Sequence, residues 1–160
     1  YTVAELFDPA TERFTPVTAP PGSPRRHFHA AHRLDDGRVL LAGGEHVDAD
    51  SRAIVPLASV LVFDPATDTL SPLAPLPQPR SLAAAVPMGD ELLLFGGATP
   101  AEPAAASAAA LAADGHARPL ATMPDGRLFH TATRLGDGRV LIVGGDDARG
   151  EPVASVLLYG

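Results

Sequence analysis

Short apolar runs separated by polar turn residues dominate the pattern of this chain. Three runs of four apolar residues each end in a glycine pair, and they occupy positions 39–42, 92–95 and 140–143. Because these runs are apolar at consecutive positions, they are typical of strands buried on both faces. Asp36-Gly37 and Asp137-Gly138 precede two of the runs, and Asp-Gly between strand-like segments favours a tight hairpin turn. The pattern predicts many short strands joined by turns.

The runs recur at a nearly regular spacing along the chain. The first glycines of the pairs, at positions 43, 96 and 144, are 53 and 48 residues apart. An arginine precedes each of them by 17, 16 and 17 residues, at Arg26, Arg80 and Arg127. The sequence Phe-Asp-Pro-Ala-Thr also occurs twice, at 7–11 and 63–67. A period of about 50 residues with four short strands in each unit is typical of a β-propeller.

These units resemble kelch repeats. The apolar run with its Gly-Gly, the upstream arginine and the Phe-Asp-Pro-x-Thr turn carry the resemblance, which covers nearly the whole chain. It implies an all-β fold, a kelch-type β-propeller of about three four-stranded blades, and therefore a partial or half propeller. Kelch units usually carry a Trp on the outermost strand, whereas this chain has none. The matching positions are Phe14, Leu70 and Ala117.

The repeat register divides the chain into segments of one propeller domain, residues 1–160. We predict the end of one blade at 1–24, a blade at 25–78, a degenerate blade at 79–125 and an incomplete blade at 126–160. In the first full blade, strands A to D are expected at about 27–34, 38–43, 59–63 and 69–73. The Ala-rich stretch 104–113 has poor β propensity and locally favours a helix. The register nevertheless assigns it to strand C, and thirteen strands are expected in total.

Three blades do not close a ring, because kelch propellers usually have six or seven. Two interpretations follow. Either the chain continues into the remainder of a longer propeller, or two copies form a homodimer that completes a six-bladed ring. We favour the longer chain, because a dimer leaves one spare C strand per copy and because Tyr159-Gly160 stands where Asp-Pro is expected.

The resemblance places strand A at the central channel, with the repeat arginines near its mouth. We predict a ligand-binding site of five residues there: Arg26, His29, Arg80, Arg127 and His130. Grouped guanidinium groups can hold carboxylates bidentately. The alternative is a structural role, in which each arginine bridges neighbouring blades through backbone carbonyls or a neighbouring Asp.

Catalytic and metal chemistry find little support in the sequence. His27 precedes His29 by two residues and would share its strand face, but even with His46 no third metal ligand occurs at a fixed spacing. Galactose-oxidase-like enzymes share the kelch propeller, yet their copper site needs a Tyr cross-linked to Cys. This chain has no Cys, and its two Tyr are Tyr1 and Tyr159. Phosphate binding by the glycine pairs would need a following helix. We therefore expect no catalytic residue, no metal and no cofactor.

Charge and composition limit the classes of partner that we expect. With 12 Lys+Arg against 19 Asp+Glu and a net charge of −7, a nucleic-acid surface is not expected. No apolar stretch reaches the length of about 18 residues that a membrane span needs. We expect a non-catalytic binding scaffold that recognises a protein or peptide through propeller-face loops at 44–57 and 98–107.

Two alternatives to that function stay open. One is an extracellular carbohydrate-binding or degenerate galactose-oxidase-like protein, although aromatic residues are only 5% of the chain and Phe7, Phe63 and Phe95 are expected in the core. The other is a purely structural spacer domain. The resemblance to bacterial kelch proteins points to an extracellular or periplasmic location.

Overall fold

The fold consists of short antiparallel strands, and a computed structural model describes it for residues 4–160. That range contains no helix, so the all-β prediction is confirmed. The strands are β1 (Ala4–Asp8), β2 (Arg13–Val17), β3 (Ala30–Arg33), β4 (Val39–Ala42), β5 (Glu45–Val47), β6 (Ile54–Pro56), β7 (Val60–Asp64), β8 (Thr69–Leu73), β9 (Ala84–Met88), β10 (Glu91–Phe95), β11 (Ala108–Ala112), β12 (Ala117–Pro119), β13 (Thr131–Arg134), β14 (Val140–Val143) and β15 (Val156–Tyr159). Tyr1 lies outside the described residues. No helix able to cross a membrane occurs between residues 4 and 160.

Besides the two-stranded sheet β5-β6, four antiparallel sheets follow one another along the described residues. The first is the pair β1-β2, the second has the order β3-β4-β7-β8, the third β9-β10-β11-β12 and the fourth β13-β14-β15. Each sheet falls within one of the four segments that the repeat register defines. The Ala-rich stretch forms β11, which pairs with β10 from Glu91↔Ala112 to Phe95↔Ala108, so its assignment to a strand is confirmed.

Two details of the strands differ from the prediction. The segment 44–57 contains an additional hairpin, β5-β6, which raises the number of strands in the described residues to fifteen. Strand A of the first repeat begins at Ala30 instead of His27, because Phe28 has a φ of 54° and interrupts the extended backbone. His27 and His29 therefore do not share one regular strand face.

Apolar clusters fill the gaps between successive sheets. Leu92 and Leu94 face the second sheet, where they pack with Leu40 and Val62. Their neighbours on β10 face the opposite way: Leu93 and Phe95 pack against Val140 and Ile142 of the fourth sheet. A third cluster joins β1-β2 to the second sheet through Val17, Leu61 and Leu70. Because a central sheet is covered on both faces, its strand is apolar at every position.

Phe7 is an exception to the expected core. Its residue is 52% exposed, whereas Phe95 is completely buried. Phe7 lies in the two-stranded sheet opposite Phe14, with ring centroids 4.9 Å apart. That face of the hairpin has no neighbouring sheet among the described residues, so both rings remain exposed.

The glycine pairs allow successive repeats to approach closely. Gly44 N–H donates to the carbonyl of Arg80, and Gly97 N–H donates to that of Arg127, both at 2.8 Å. A Cβ on Gly96 would overlap the carbonyl oxygen of Arg127. No helix follows the pairs in the described part of the chain. The pairs thus have a structural role, combining positive φ with close backbone packing.

Candidate binding site

Each repeat arginine donates to the same kinds of acceptor in its own repeat. The guanidinium contacts the carbonyl of the first glycine of the pair, and both the carbonyl and the hydroxyl of the serine before strand C. The donor–acceptor distances are 3.0, 3.2 and 2.9 Å for Arg26 with Gly43 and Ser59, 2.5, 2.9 and 2.8 Å for Arg80 with Gly96 and Ser107, and 3.1, 3.2 and 2.7 Å for Arg127 with Gly144 and Ser155.

The burial of the arginine side chains favours a structural role for these hydrogen bonds. Arg127 is completely buried and Arg80 is 6% exposed, whereas Arg26 is partly exposed. Desolvation lowers the pKa of the Arg26 and Arg80 guanidinium groups below the usual value. The contacts match the structural alternative, except that they join strands of one repeat and not two neighbouring repeats. Ligand contact stays a prediction, and Arg26 is the most accessible of the three for it.

The two histidines at one repeat position have different surroundings. His130 is 7% exposed, and neither of its ring nitrogens has a hydrogen-bond partner among the described residues. Burial and the nearby charge of Arg127 lower its pKa to about 4. His29 is exposed, although partial burial of its ring and the charge of Arg26 also lower its pKa. The difference arises because Gly96 of the preceding repeat packs on His130.

Acid is expected to destabilise the fold through His130. The imidazole has a pKa of about 4 when folded and about 6.5 when unfolded, so the unfolded chain binds more protons between these values. The free energy of unfolding is therefore unaffected by His130 above about pH 6.5, and it falls by up to about 3 kcal/mol as the pH decreases towards 4. Urea unfolding of His130→Ala, which carries the residue found at Ala83, should show a shallower loss over this range. His116→Ala, at an exposed site, is the control. Parallel curves for His130→Ala and the wild type would contradict this assignment.

Sequence reasoning missed the residue two positions after each repeat arginine, directly before the histidine position. Phe28, Leu82 and Phe129 occupy it, and their φ angles are 54°, 58° and 57°. Positive φ is rare and costly for bulky side chains. Phe28 and Phe129 are 54% and 59% exposed. The repeated Arg-x-Phe-His sequence was the available signal, but periodicity carries no information about φ.

Phe28 contacts the other two residues, although all three come from different repeats. The rings of Phe28 and Phe129 contact edge to face, with centroids 6.4 Å apart. Leu82 N–H donates to the carbonyl of Phe28 at 3.1 Å. We refer to Phe28, Leu82 and Phe129 as the apolar cluster. It presents an exposed apolar surface at the end of the sheets where strand A begins.

A polar cleft lies beside the apolar cluster. The ring of His27 contacts Phe28, with centroids 4.8 Å apart. His27 Nε2 lies 3.2 Å from Glu45 Oε1, and the Ser81 hydroxyl donates to Glu45 Oε2 at 2.5 Å. Glu45 is buried, and it links the β5-β6 hairpin to two repeats. The cleft has a volume of about 720 Å³ and lies between segment 24–27 and the hairpin.

The histidines and carboxylates of the described residues are too dispersed for a metal site. Between residues 4 and 160, no three His, Cys, Asp or Glu side chains form a group able to hold a metal ion. His27 contacts Glu45, whereas His29 lies beside Gly44 and Arg26.

The chain matches no protein-family model and no curated protein. The resemblance to kelch repeats therefore rests on the repeated residues themselves.

Proposed function

We propose that this chain is a non-catalytic binding scaffold, a partial kelch-type propeller that recognises a protein or peptide through the apolar cluster. The observation that carries the proposal is a bulky apolar residue on a left-handed backbone at the same position of three repeats, with the side chains of Phe28 and Phe129 exposed. Such strain costs about 1–3 kcal/mol per residue and is concentrated at ligand sites in proteins.

The propeller arrangement is supported by contacts between repeats that are not adjacent in sequence. Phe28 belongs to the first full repeat and Phe129 to the third, yet their rings touch. Sheets that radiate from an axis bring their innermost strands together in this way, whereas a linear stack would separate them. The apolar cluster would then surround the axis at one end.

A peptide fits the chemistry of this surface. Protein interfaces combine a buried apolar centre, rich in aromatic anchors, with a polar rim. The apolar cluster supplies the centre, and the cleft with His27, His46 and Asp48 supplies polar groups for a peptide backbone or side chain. The arginines beneath hold the backbone of each repeat in place, which reduces the ordering cost on binding.

Carbohydrate binding is the second candidate, because sugars stack on exposed aromatic rings. The planes of Phe28 and Phe129 are 88° apart, so the two rings do not form one flat platform. This geometry favours the side chain of a peptide inserted between or against the rings.

Selection from a phage-displayed library of random dodecamer peptides tests the proposal. Affinity of the selected peptides, measured by fluorescence anisotropy, should weaken at least tenfold in the double variant Phe28→Ala/Phe129→Ala. Phe14→Ala is the matched control, since it removes an exposed ring 65% accessible to solvent outside the cluster. Circular dichroism checks that each variant is folded. Binding on a glycan array without any peptide binder, or peptide binding unaffected by the double variant, would contradict the proposal.

A further inference from the structure

A cavity of about 360 Å³ lies between the connection 76–78, which leaves the second sheet, and strands β10 and β11 of the third sheet. Most of its lining residues are apolar, and all of them lie between positions 76 and 119. Both flanking sheets have four strands, so the walls of the cavity do not depend on where the sequence begins or ends. Its volume falls within the range of small-molecule sites, about 300–1,000 Å³.

The middle repeat has an alanine in this cavity where the other repeats have a leucine. Two positions after the serine that precedes strand C, the residues are Leu61, Ala109 and Leu157. Ala109 shares its strand face with Leu111, which packs against the second sheet. The cleft beside Leu61 measures about 280 Å³, and the one beside Leu157, which extends to Gly160, about 330 Å³. The alanine thus gives the middle repeat the largest space of the three.

Arg80 places a positive charge in the wall of this cavity. It is only 6% exposed, and three of its five N–H donors bond to Gly96 and Ser107. No carboxylate between residues 4 and 160 lies within 4 Å of its nitrogens. Burial lowers the pKa of Arg80, and the more distant, exposed Glu102 offsets part of this effect. Because a buried charge is costly without a counter-charge, the cavity favours an anion.

We propose that this cavity binds a small aliphatic monocarboxylate, with its carboxylate on the guanidinium of Arg80 and its apolar chain on Leu76, Leu94 and Ala109. Nη1 and Nη2 of Arg80 both bond to Ser107, so the two remaining hydrogens lie on the opposite edge, formed by Nε and Nη2. Two parallel donors on one edge match the two oxygens of a carboxylate. No member of the apolar cluster lines the cavity, so this is a second site, separate from the proposed peptide site.

An NMR titration of the full 160-residue chain with octanoate tests this proposal. We expect saturable shifts of the methyl signals of Ala108 and Ala109, which line the cavity. Binding of 1-octanol, which has the same chain length without the charge, should be at least tenfold weaker, because it cannot form the charged pair with Arg80.

Ala109→Leu is the variant that separates the cavity from the fold. Leucine occupies the matching positions 61 and 157, so the strand accepts it, and its larger side chain fills the space for the ligand. Octanoate should bind this variant at least tenfold more weakly. Ala112→Leu is the matched control, since Ala112 lies on the same strand, opposite Glu91, but outside the cavity wall. Circular dichroism checks that both variants are folded.

Four outcomes would overturn the proposal. They are the absence of saturable shifts with octanoate, equal affinities for octanoate and 1-octanol, unchanged octanoate affinity in a folded Ala109→Leu variant, and shifts confined to Phe28 and Phe129. Peptide binding to the apolar cluster is measured separately, so either proposal can fail without the other.

Discussion

Replacing Arg127 with alanine is expected to lower the free energy of unfolding by about 3–5 kcal/mol. The guanidinium is completely buried and donates to the Gly144 carbonyl and to the carbonyl and hydroxyl of Ser155. Its removal deletes three hydrogen bonds to partly buried acceptors and leaves the space of a buried side chain empty. Since small domains are stable by only about 5–15 kcal/mol, the variant should be close to unfolding.

Urea unfolding followed by circular dichroism measures this loss, because the chain has no Trp for fluorescence. Arg149→Ala removes an exposed arginine and should change stability by less than about 0.5 kcal/mol. Arg127→Lys keeps the charge but not the planar fork that reaches Gly144 and Ser155 together, so it should recover only part of the stability. A loss below about 1 kcal/mol for Arg127→Ala would show that the guanidinium does not hold these strands together.

Gly96→Ala is expected to lower the free energy of unfolding by about 2–4 kcal/mol. The new Cβ would overlap the carbonyl oxygen of Arg127 and lie 2.8 Å from His130 Cε1 and 3.1 Å from Met123 Cε. The residue also has a φ of +60°, which disfavours alanine by itself. The third and fourth sheets would have to separate, and Phe95 and Ile142 would lose part of their packing in the core between these sheets.

Gly138→Ala separates the two causes. Gly138 has a φ of +90° with nothing within 4 Å of a Cβ, so alanine there carries backbone strain without a clash. Its expected loss is about 1 kcal/mol in the same urea titration. Equal losses for Gly96→Ala and Gly138→Ala would mean that the close contact between repeats contributes little to stability.

The arginines and the apolar cluster have connected roles in this fold. Arg26, Arg80 and Arg127 each lie two residues before a member of the apolar cluster. Each arginine fixes the end of strand B and the start of strand C in its repeat. These contacts hold the backbone near the member of the apolar cluster in that repeat. A ligand site built on such a frame loses little entropy on binding, which is the main advantage of a rigid scaffold over a flexible loop.

The sequence by itself determined the fold class and the order of the strands. Runs such as 92–95 are apolar at every position, which indicates a strand whose sheet is covered on both faces. The repeat register also placed the Ala-rich strand β11 correctly against its local propensity. Hydrogen bonding and packing with β10 outweigh the weak preference of alanine for a helix.

The tertiary structure alone decided which residues of the candidate site are accessible. His29 and His130 share one sequence pattern, but only His130 has a preceding glycine pair packed on it. The same is true of the apolar cluster, whose left-handed backbone and mutual contact depend on three repeats at once. Burial and φ are set by the neighbouring repeat, and a pattern read along one strand contains no information about that neighbour.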